Sequence, residues 1–175
     1  MRRITAMLLT CIMVLGLAAC GSGESKNDSG SKDSDGYVFS YNDTEIAMDA
    51  NAEDVIKGLG QEYKYFEAAS CAFDGLDKTY QYGSAFTVGT YPKDGKDYIS
   101  YVYLTNDTVS TKEGVKVGDT VETMKKAYGD AQPDETGGYS YDKGNMSLKF
   151  ITSDGTTIEE IDYTSNATKS TNTTK

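Results

Sequence analysis

The chain contains no histidine and no tryptophan, and it has fewer cationic than anionic side chains. Without histidine, the Ser–His and Cys–His arrangements that activate nucleophiles are excluded, and the commonest protein ligand for transition metals is missing. With 17 Lys and Arg against 27 Asp and Glu, the net charge is −10 at pH 7. This acidity argues against nucleic acid as a partner, because proteins that bind phosphate backbones present basic surfaces.

Long apolar segments are also scarce, and the one near the N-terminus is too short to cross a bilayer. The run Met7–Leu17 follows the cationic pair Arg2-Arg3 and leads into small residues. A spanning helix needs about 20 apolar residues, whereas the apolar region of a signal peptide has ~7–15. The pattern therefore predicts a signal peptide over residues 1–19, with cleavage between Ala19 and Cys20.

The tetrad Leu17-Ala18-Ala19-Cys20 resembles the lipobox of bacterial lipoproteins. The resemblance implies that the Cys20 thiol carries a diacylglyceryl group and that fatty acyl chains, such as palmitate, anchor the protein. Several acyl chains on one residue give long-lived attachment, whereas one chain binds only reversibly. We therefore expect a lipid-anchored protein on the extracytoplasmic face of the bacterial cell membrane. An ordinary secretory signal with a chance cysteine is the alternative.

Cleavage would leave a more acidic chain with few cysteines. Loss of Arg2 and Arg3 lowers Lys plus Arg from 17 to 15 while Asp plus Glu stays at 27, so the net charge becomes −12. That charge argues against lying flat on anionic lipid. Only Cys71 would remain beside the lipidated Cys20, so an intramolecular disulfide is excluded and the fold must rely on its core.

Composition divides the rest of the chain into three parts. Residues 20–36 combine the lipidated cysteine with a Gly, Ser, Asp and Lys segment that lacks apolar side chains, which predicts a flexible tether. Residues 37–164 alternate apolar and polar positions and are predicted to form one globular domain of ordinary size. Residues 165–175 are mostly Thr, Asn, Ser and Lys and are predicted to be a disordered tail.

Two short helices are predicted from apolar residues at helical spacing. The first has Ala52, Val55, Ile56 and Leu59, and the second has Val121, Met124 and Tyr128. Asn51 and Thr120 are suitable N-caps, and Gly60 and Gly129 follow the predicted ends. Helices of two to three turns are marginal alone, so we expect both to pack on a sheet.

Strand patterns follow each helix in a similar order. Asp94-Gly95 and Asp154-Gly155 are hairpin turn signals. The apolar residues that follow them at equal offsets are Tyr98, Tyr101 and Tyr103 in one case and Ile158, Ile161 and Tyr163 in the other. These coincidences predict an α+β fold made of two diverged repeats, each a short helix followed by antiparallel strands, with the helices packed on the sheet. Residues 61–78 then form an insertion in the first repeat.

The segment from Gly118 to Gly129 has the pattern Gly-x-[Ser/Thr]-x-x-x-apolar-x-x-x-apolar-Gly. It resembles the β-lactamase-inhibitor-protein-like domains and the small outer-membrane-assembly lipoproteins of the SmpA/BamE type. The combination of Ser70-Cys71-Ala72-Phe73 with Thr90-Tyr91-Pro92 is also similar to uncharacterised lipoproteins of Gram-positive gut bacteria. The resemblance implies short helices on an antiparallel sheet, but the inhibitor repeats carry disulfides that this chain cannot form, so no functional residue is transferred.

Candidate catalytic groups have simpler explanations. Glu159, Glu160 and Asp162 could act as paired carboxylates, but Glu160 and Asp162 share one side of a predicted strand, which favours a solvated face. Cys71 has no Lys or Arg close in sequence to activate its thiol, so a small buried core residue is expected. The two Asp-Gly pairs lack the ligand ladder of an EF-hand. We therefore expect no metal, no cofactor and no enzymatic activity.

Tyrosine is the abundant aromatic residue, with 14 copies. It is common in strands for packing reasons and common at binding surfaces because it offers area and a hydroxyl. A concave sheet face bearing Tyr80, Tyr82, Tyr101 and Tyr103 is the predicted contact surface. The preferred hypothesis is a non-catalytic module that binds a protein or an envelope component. A small carboxylate-dependent hydrolase of envelope material and a passive structural lipoprotein are the alternatives.

Overall fold

The computed structural model describes residues 35–169. The predicted signal peptide, the cleavage site between Ala19 and Cys20, the lipidation site, nearly all of the tether and the end of the predicted tail lie outside the described residues. The described part contains nine strands, two α-helices and one 3₁₀ turn. In chain order they are β1 (Val38–Tyr41), β2 (Thr44–Ala47), α1 (Ala52–Leu59), β3 (Lys64–Ala69), β4 (Leu76–Tyr82), β5 (Phe86–Lys93), β6 (Lys96–Leu104), α2 (Val121–Tyr128), β7 (Tyr139–Lys143), β8 (Met146–Ile151), β9 (Glu160–Ser165) and η1 (Asn166–Thr168).

One antiparallel sheet dominates the fold. Seven strands lie in the order β3-β4-β5-β6-β9-β8-β7, and β1 and β2 form a separate hairpin. The prediction of two repeated helix-then-strand α+β units is therefore wrong. The helical patterns were real, but each gives only eight residues of helix, whereas most of the alternating segments became strands. The segment predicted as an insertion supplies β3 and the start of β4.

Local signals at the helix ends are confirmed. The Asn51 side chain accepts a hydrogen bond from the Glu53 amide at 3.0 Å, and Thr120 accepts one from the Thr123 amide at 3.2 Å. Gly60 and Gly129 follow the two helices. Because a cap satisfies backbone donors that the helix itself leaves free, these positions could be identified without tertiary information.

The two Asp-Gly pairs behave differently. Asp94-Gly95 forms a two-residue turn between β5 and β6, with φ of 52° and 73°, as a type I′ hairpin requires. Asp154-Gly155 instead lies in the longer connection between β8 and β9, so the predicted equivalence of the two turns is wrong. There the Asp154 carboxylate accepts the amides of Thr156 and Thr157 at 2.7 and 2.8 Å, which shapes a loop rather than a tight hairpin.

A single hydrophobic core lies on one face of the large sheet, the covered face. Its sheet residues include Phe86, Val88, Val102, Leu104, Leu148, Phe150, Ile161 and Tyr163. Both α-helices and the β1–β2 hairpin pack there; Phe39 of the hairpin lies 5.2 Å from Phe86 and 6.0 Å from Tyr163, ring centre to ring centre. The buried apolar side chains of the described residues all fall between Phe39 and Tyr163. The region thus carries its own core, which is what a segment needs in order to fold alone.

Regular structure extends past residue 164, the predicted end of the globular domain. β9 runs to Ser165, which is buried, and η1 follows it. Between residues 35 and 169 the helices are too short and too polar to cross a bilayer.

Candidate functional site

The four tyrosines predicted to form one contact surface lie on two different faces of the seven-stranded sheet. The side opposite the covered face is called the open face. Tyr80 and Tyr82 on β4 stand opposite Val88 and Phe86, and so belong to the covered face. Tyr101 and Tyr103 on β6 stand opposite Gly89 and Thr87, on the open face. Neither α-helix of the described chain packs on that face. The structure brings Tyr101 and Tyr103 together and places Tyr80 and Tyr82 elsewhere.

Tyr101 and Tyr103 form a stacked pair, with ring centres 4.2 Å apart and planes inclined by 16°. The Tyr101 hydroxyl lies 3.1 Å from the Thr79 hydroxyl, so the ring reaches across β5 to β4. Gly89 makes this reach possible, since a Cβ at that position would lie 2.0 Å from Cε1 of Tyr101. A glycine inside a strand commonly marks such a close approach. This was the sequence signal that could have identified the pair.

A groove of about 270 Å³ opens beside the stacked pair. It is lined by the loop Ser70–Phe73 and by side chains from β4, β5, β6, β9 and η1: Asp77, Lys78, Thr79, Thr90, Tyr91, Ser100, Tyr101, Tyr103, Thr164 and Thr168. Phe73 holds the loop in place by stacking on Tyr91 at 4.9 Å. The lining is thus aromatic and hydroxyl-bearing residues together with Lys78, which forms an ion pair of 2.6 Å with Asp97.

Thr90 lies next to the groove and carries an unsatisfied polar group. Its side chain is 2% exposed, and its hydroxyl has no hydrogen-bond partner. The pairing of β5 with β6 shifts between Gly89 and Thr90, and the extra residue of this bulge is Ser100 on β6. Thr90 itself stands opposite Lys78 and Ile99, on the same side of β5 as Val88. Buried polar groups are nearly always paired, so this inaccessible hydroxyl is an unusual feature of the sheet next to the groove. Sequence analysis missed it, because it depends on how the strands pair.

Two carboxylates stand next to the stacked pair on the open face. Asp162 is opposite Tyr103 on β6 and opposite Lys149 on β8, with Glu160 two residues away on the same strand. Burial, and then the charge of Glu160, raises the pKa of Asp162 to about 7, and its Oδ1 has no partner. Burial and the Asp162 carboxylate raise the pKa of Tyr103 to about 12. The predicted solvated face therefore does not describe Asp162, which is largely covered.

Cys71 is exposed, so the prediction of a buried core residue is wrong. The neighbouring Ala72 and Phe73 suggested burial, but the chain leaves the sheet between β3 and β4, and Cys71 lies on the rim of the groove. No set of three or more acidic or Cys side chains within residues 35–169 is placed to hold a metal ion.

Comparisons with known proteins assign no family to this chain. No protein-family model matches the sequence. No curated protein matches it either. The fold has some similarity to the crystal structure of the uncharacterized protein yfeY from Escherichia coli, with 15% identity and a TM-score of 0.43, covering 69% of this chain and 94% of that one. Function has to be argued from this chain's own residues.

Proposed function

We propose that this chain is a lipid-anchored, non-catalytic binding domain of the bacterial cell envelope, and that its open face binds a saccharide component of that envelope. The observation that carries the proposal is the groove beside Tyr101 and Tyr103. It lies on a sheet face that the two described α-helices leave uncovered, and it combines stacked rings with Thr79 and Thr164 on the same face.

The chemistry of the groove favours a saccharide over an apolar ligand. Thr79 and Thr164 line it on the open face, and the hydroxyl of each can both donate and accept a hydrogen bond, as sugar hydroxyls do. Tyrosine rings supply apolar area for the C–H surfaces of a sugar ring together with a polar tip. An acidic protein of this kind would be repelled by polyanions, so a neutral or amino sugar fits better than a phosphorylated one.

The anchor is supported by the sequence Leu17-Ala18-Ala19-Cys20 behind a charged, apolar leader. Mass spectrometry of the mature N-terminus tests it. A diacylglyceryl-modified Cys20 at the N-terminus is expected, and Cys20→Ala should release the protein from membranes. An unmodified thiol at Cys20 in membrane-bound protein would contradict the anchor without touching the binding proposal.

Binding is tested with purified, insoluble peptidoglycan and a chain of residues 31–175, which contains every described element. Co-sedimentation should be saturable, and Tyr103→Ala should weaken it by about tenfold, as loss of a stacking contact does. Tyr80→Ala is the matched control, because Tyr80 is similarly half-buried but lies on the covered face. Equal loss in both variants, or no sedimentation of the wild-type chain, would contradict a saccharide site on the open face.

The Asp162–Glu160 pair favours one alternative, a small hydrolase of envelope glycans. A carboxyl group with a pKa of about 7 could serve as a general acid near neutral pH. Incubation with peptidoglycan would then release new reducing ends, and Asp162→Asn would abolish the release while leaving co-sedimentation in place. Sedimentation without release of reducing ends would exclude this alternative.

A further inference from the structure

β3 is an edge strand that is exposed along its whole length. Each of its residues from Lys64 to Ala69 is exposed, and only β4 pairs with it. The large apolar side chains of the described chain that are exposed are Tyr65, Phe66 and Leu76, and all three lie in β3 or at the start of β4. Proteins usually protect such edges with proline, bulges or several charges. β3 has no proline, pairs with β4 without a bulge, and bears one lysine and one glutamate.

The backbone of β3 shows which residues could pair outward. The Ser70 amide donates to the Gly75 carbonyl at 3.0 Å, and hydrogen-bonded positions alternate along an antiparallel ladder. Phe66 therefore directs its backbone groups toward Thr79 of β4. Tyr65, Glu67 and Ala69 direct theirs away from the sheet. These free N–H and C=O groups can receive one more antiparallel strand.

We propose that the strand received is β3 of a second copy of this chain, which joins two seven-stranded sheets into one. In a two-fold antiparallel pair, facing residues share a sheet face, so only registers that pair residues of equal parity are allowed. Centring the pair on Phe66 puts Tyr65 opposite Glu67 of the second copy and Lys64 opposite Ala68. The adjacent allowed register pairs the same number of β3 residues, but it puts Glu67 opposite Glu67 of the second copy. Repulsion between these like charges disfavours it.

The Phe66-centred register also matches side-chain chemistry. Phe66 faces Phe66 of the second copy at a non-hydrogen-bonded position, where side chains come closest. The two rings, each exposed in the single chain, would be buried together. Tyr65 donates a hydrogen bond to Glu67 within one chain, and the same two residues face each other across the pair. The inference is independent of the proposed saccharide site, because β3 contributes no residue to the groove lining.

Sedimentation of residues 31–175, carrying Cys71→Ser, over a wide concentration range tests the association. A monomer–dimer equilibrium is expected, and it should strengthen with added salt because both copies are acidic. Glu67→Pro removes an outward N–H but leaves the ladder to β4 intact, so dissociation should become about tenfold easier or more. Glu67→Ala keeps that N–H and should retain the dimer. A chain that stays monomeric throughout, or a dimer insensitive to Glu67→Pro, overturns the proposal.

Cross-linking tests the register. In the Cys71→Ser background, Phe66→Cys places two thiols across the two-fold axis at a Cα separation of about 4.5 Å, which a disulfide can bridge. Mild oxidation should therefore yield a covalent dimer quickly. Leu76→Cys is the control, since Leu76 is also exposed and apolar but lies on β4. Equal cross-linking rates for the two variants would contradict the register.

Discussion

The two faces of the large sheet come from the same strands yet differ in almost every property. The covered face bears side chains such as Val88, Leu104 and Phe150, which are essentially inaccessible. The open face bears Thr87, Tyr103 and Asp162 at the intervening positions. The hydrophobic effect explains the first face completely, because apolar area is removed from water there. It does not explain why the second face holds a tyrosine stack and a largely buried carboxylate. These two features are therefore the ones for which the proposed function accounts.

The largest expected effect is on stability, and it appears when a tyrosine is replaced by alanine on each of the two faces. Tyr82 is 8% exposed and stacks on Phe86, so Tyr82→Ala should lower the free energy of unfolding by about 3 kcal/mol or more. Tyr103→Ala should lower it by about 1 kcal/mol, since it loses mainly one aromatic contact. Urea denaturation measures both. Equal losses would show that the open face contributes to the core after all.

Gly89→Ala should have the next largest effect. The new methyl group overlaps the Tyr101 ring, so the ring must leave its position and give up the Thr79 contact, at a cost of about 1–3 kcal/mol. In a Tyr101→Ala background the same substitution meets no ring and should cost much less. A double-mutant cycle measures this coupling, and simple additivity would mean that the ring does not lie over Gly89.

A smaller and pH-dependent effect is expected at Asp162. Its pKa is raised to about 7 in the folded chain, against about 3.9 for an unfolded aspartate. The unfolded chain therefore loses this proton first, and the native state is progressively destabilised as pH rises from about 4 to about 7.

Asp162→Asn removes that penalty. The variant should match the wild type at pH 4 and be more stable at pH 8, by roughly 1–2 kcal/mol once the partial exposure of the side chain is allowed for. Thermal unfolding of both chains across this range gives the difference. A gap that is constant with pH would place the Asp162 carboxyl in ordinary solvent.

The smallest effect concerns Thr90 and separates stability from binding. Thr90→Val replaces a buried, unpartnered hydroxyl with a methyl group, which should leave stability unchanged or raise it by up to about 1 kcal/mol. Because Thr90 stands opposite the core residue Ile99, co-sedimentation with peptidoglycan should be unchanged in the same variant. Weaker co-sedimentation at unchanged stability would instead place the Thr90 hydroxyl in the groove.

Features that depend on neighbouring residues could be predicted from the sequence, and features that depend on distant ones could not. The caps Asn51 and Thr120 and the Asp94-Gly95 turn are local, and the structure confirms them. The strand order was not predictable in this way, because β6 pairs with β9 only after the intervening α2, β7 and β8. Two similar helix-strand patterns were therefore interpreted as repeats, although a single sheet formed.

The positions of the tyrosines in the candidate site show the same limit of sequence-based prediction. Alternation predicts that residues two apart share a face, which holds for Tyr80 with Tyr82 and for Tyr101 with Tyr103. It does not relate the face of one strand to the face of another, since that needs the register. The bulge between β5 and β6 is a further non-local feature, and its extra residue, Ser100, lines the groove that carries the proposed function.

The position of the β1–β2 hairpin has a mechanical consequence. Phe39 lies against both Phe86 and Tyr163, which belong to strands on either side of β6. The chain just ahead of the hairpin is also held by the start of β8, since the Tyr37 amide donates to Sδ of Met146 at 3.2 Å. Tension applied from the N-terminal side would therefore load the Met146 contact and the hairpin first, whereas Tyr101 and Tyr103, on the other face of the sheet, would stay unloaded until those contacts had broken.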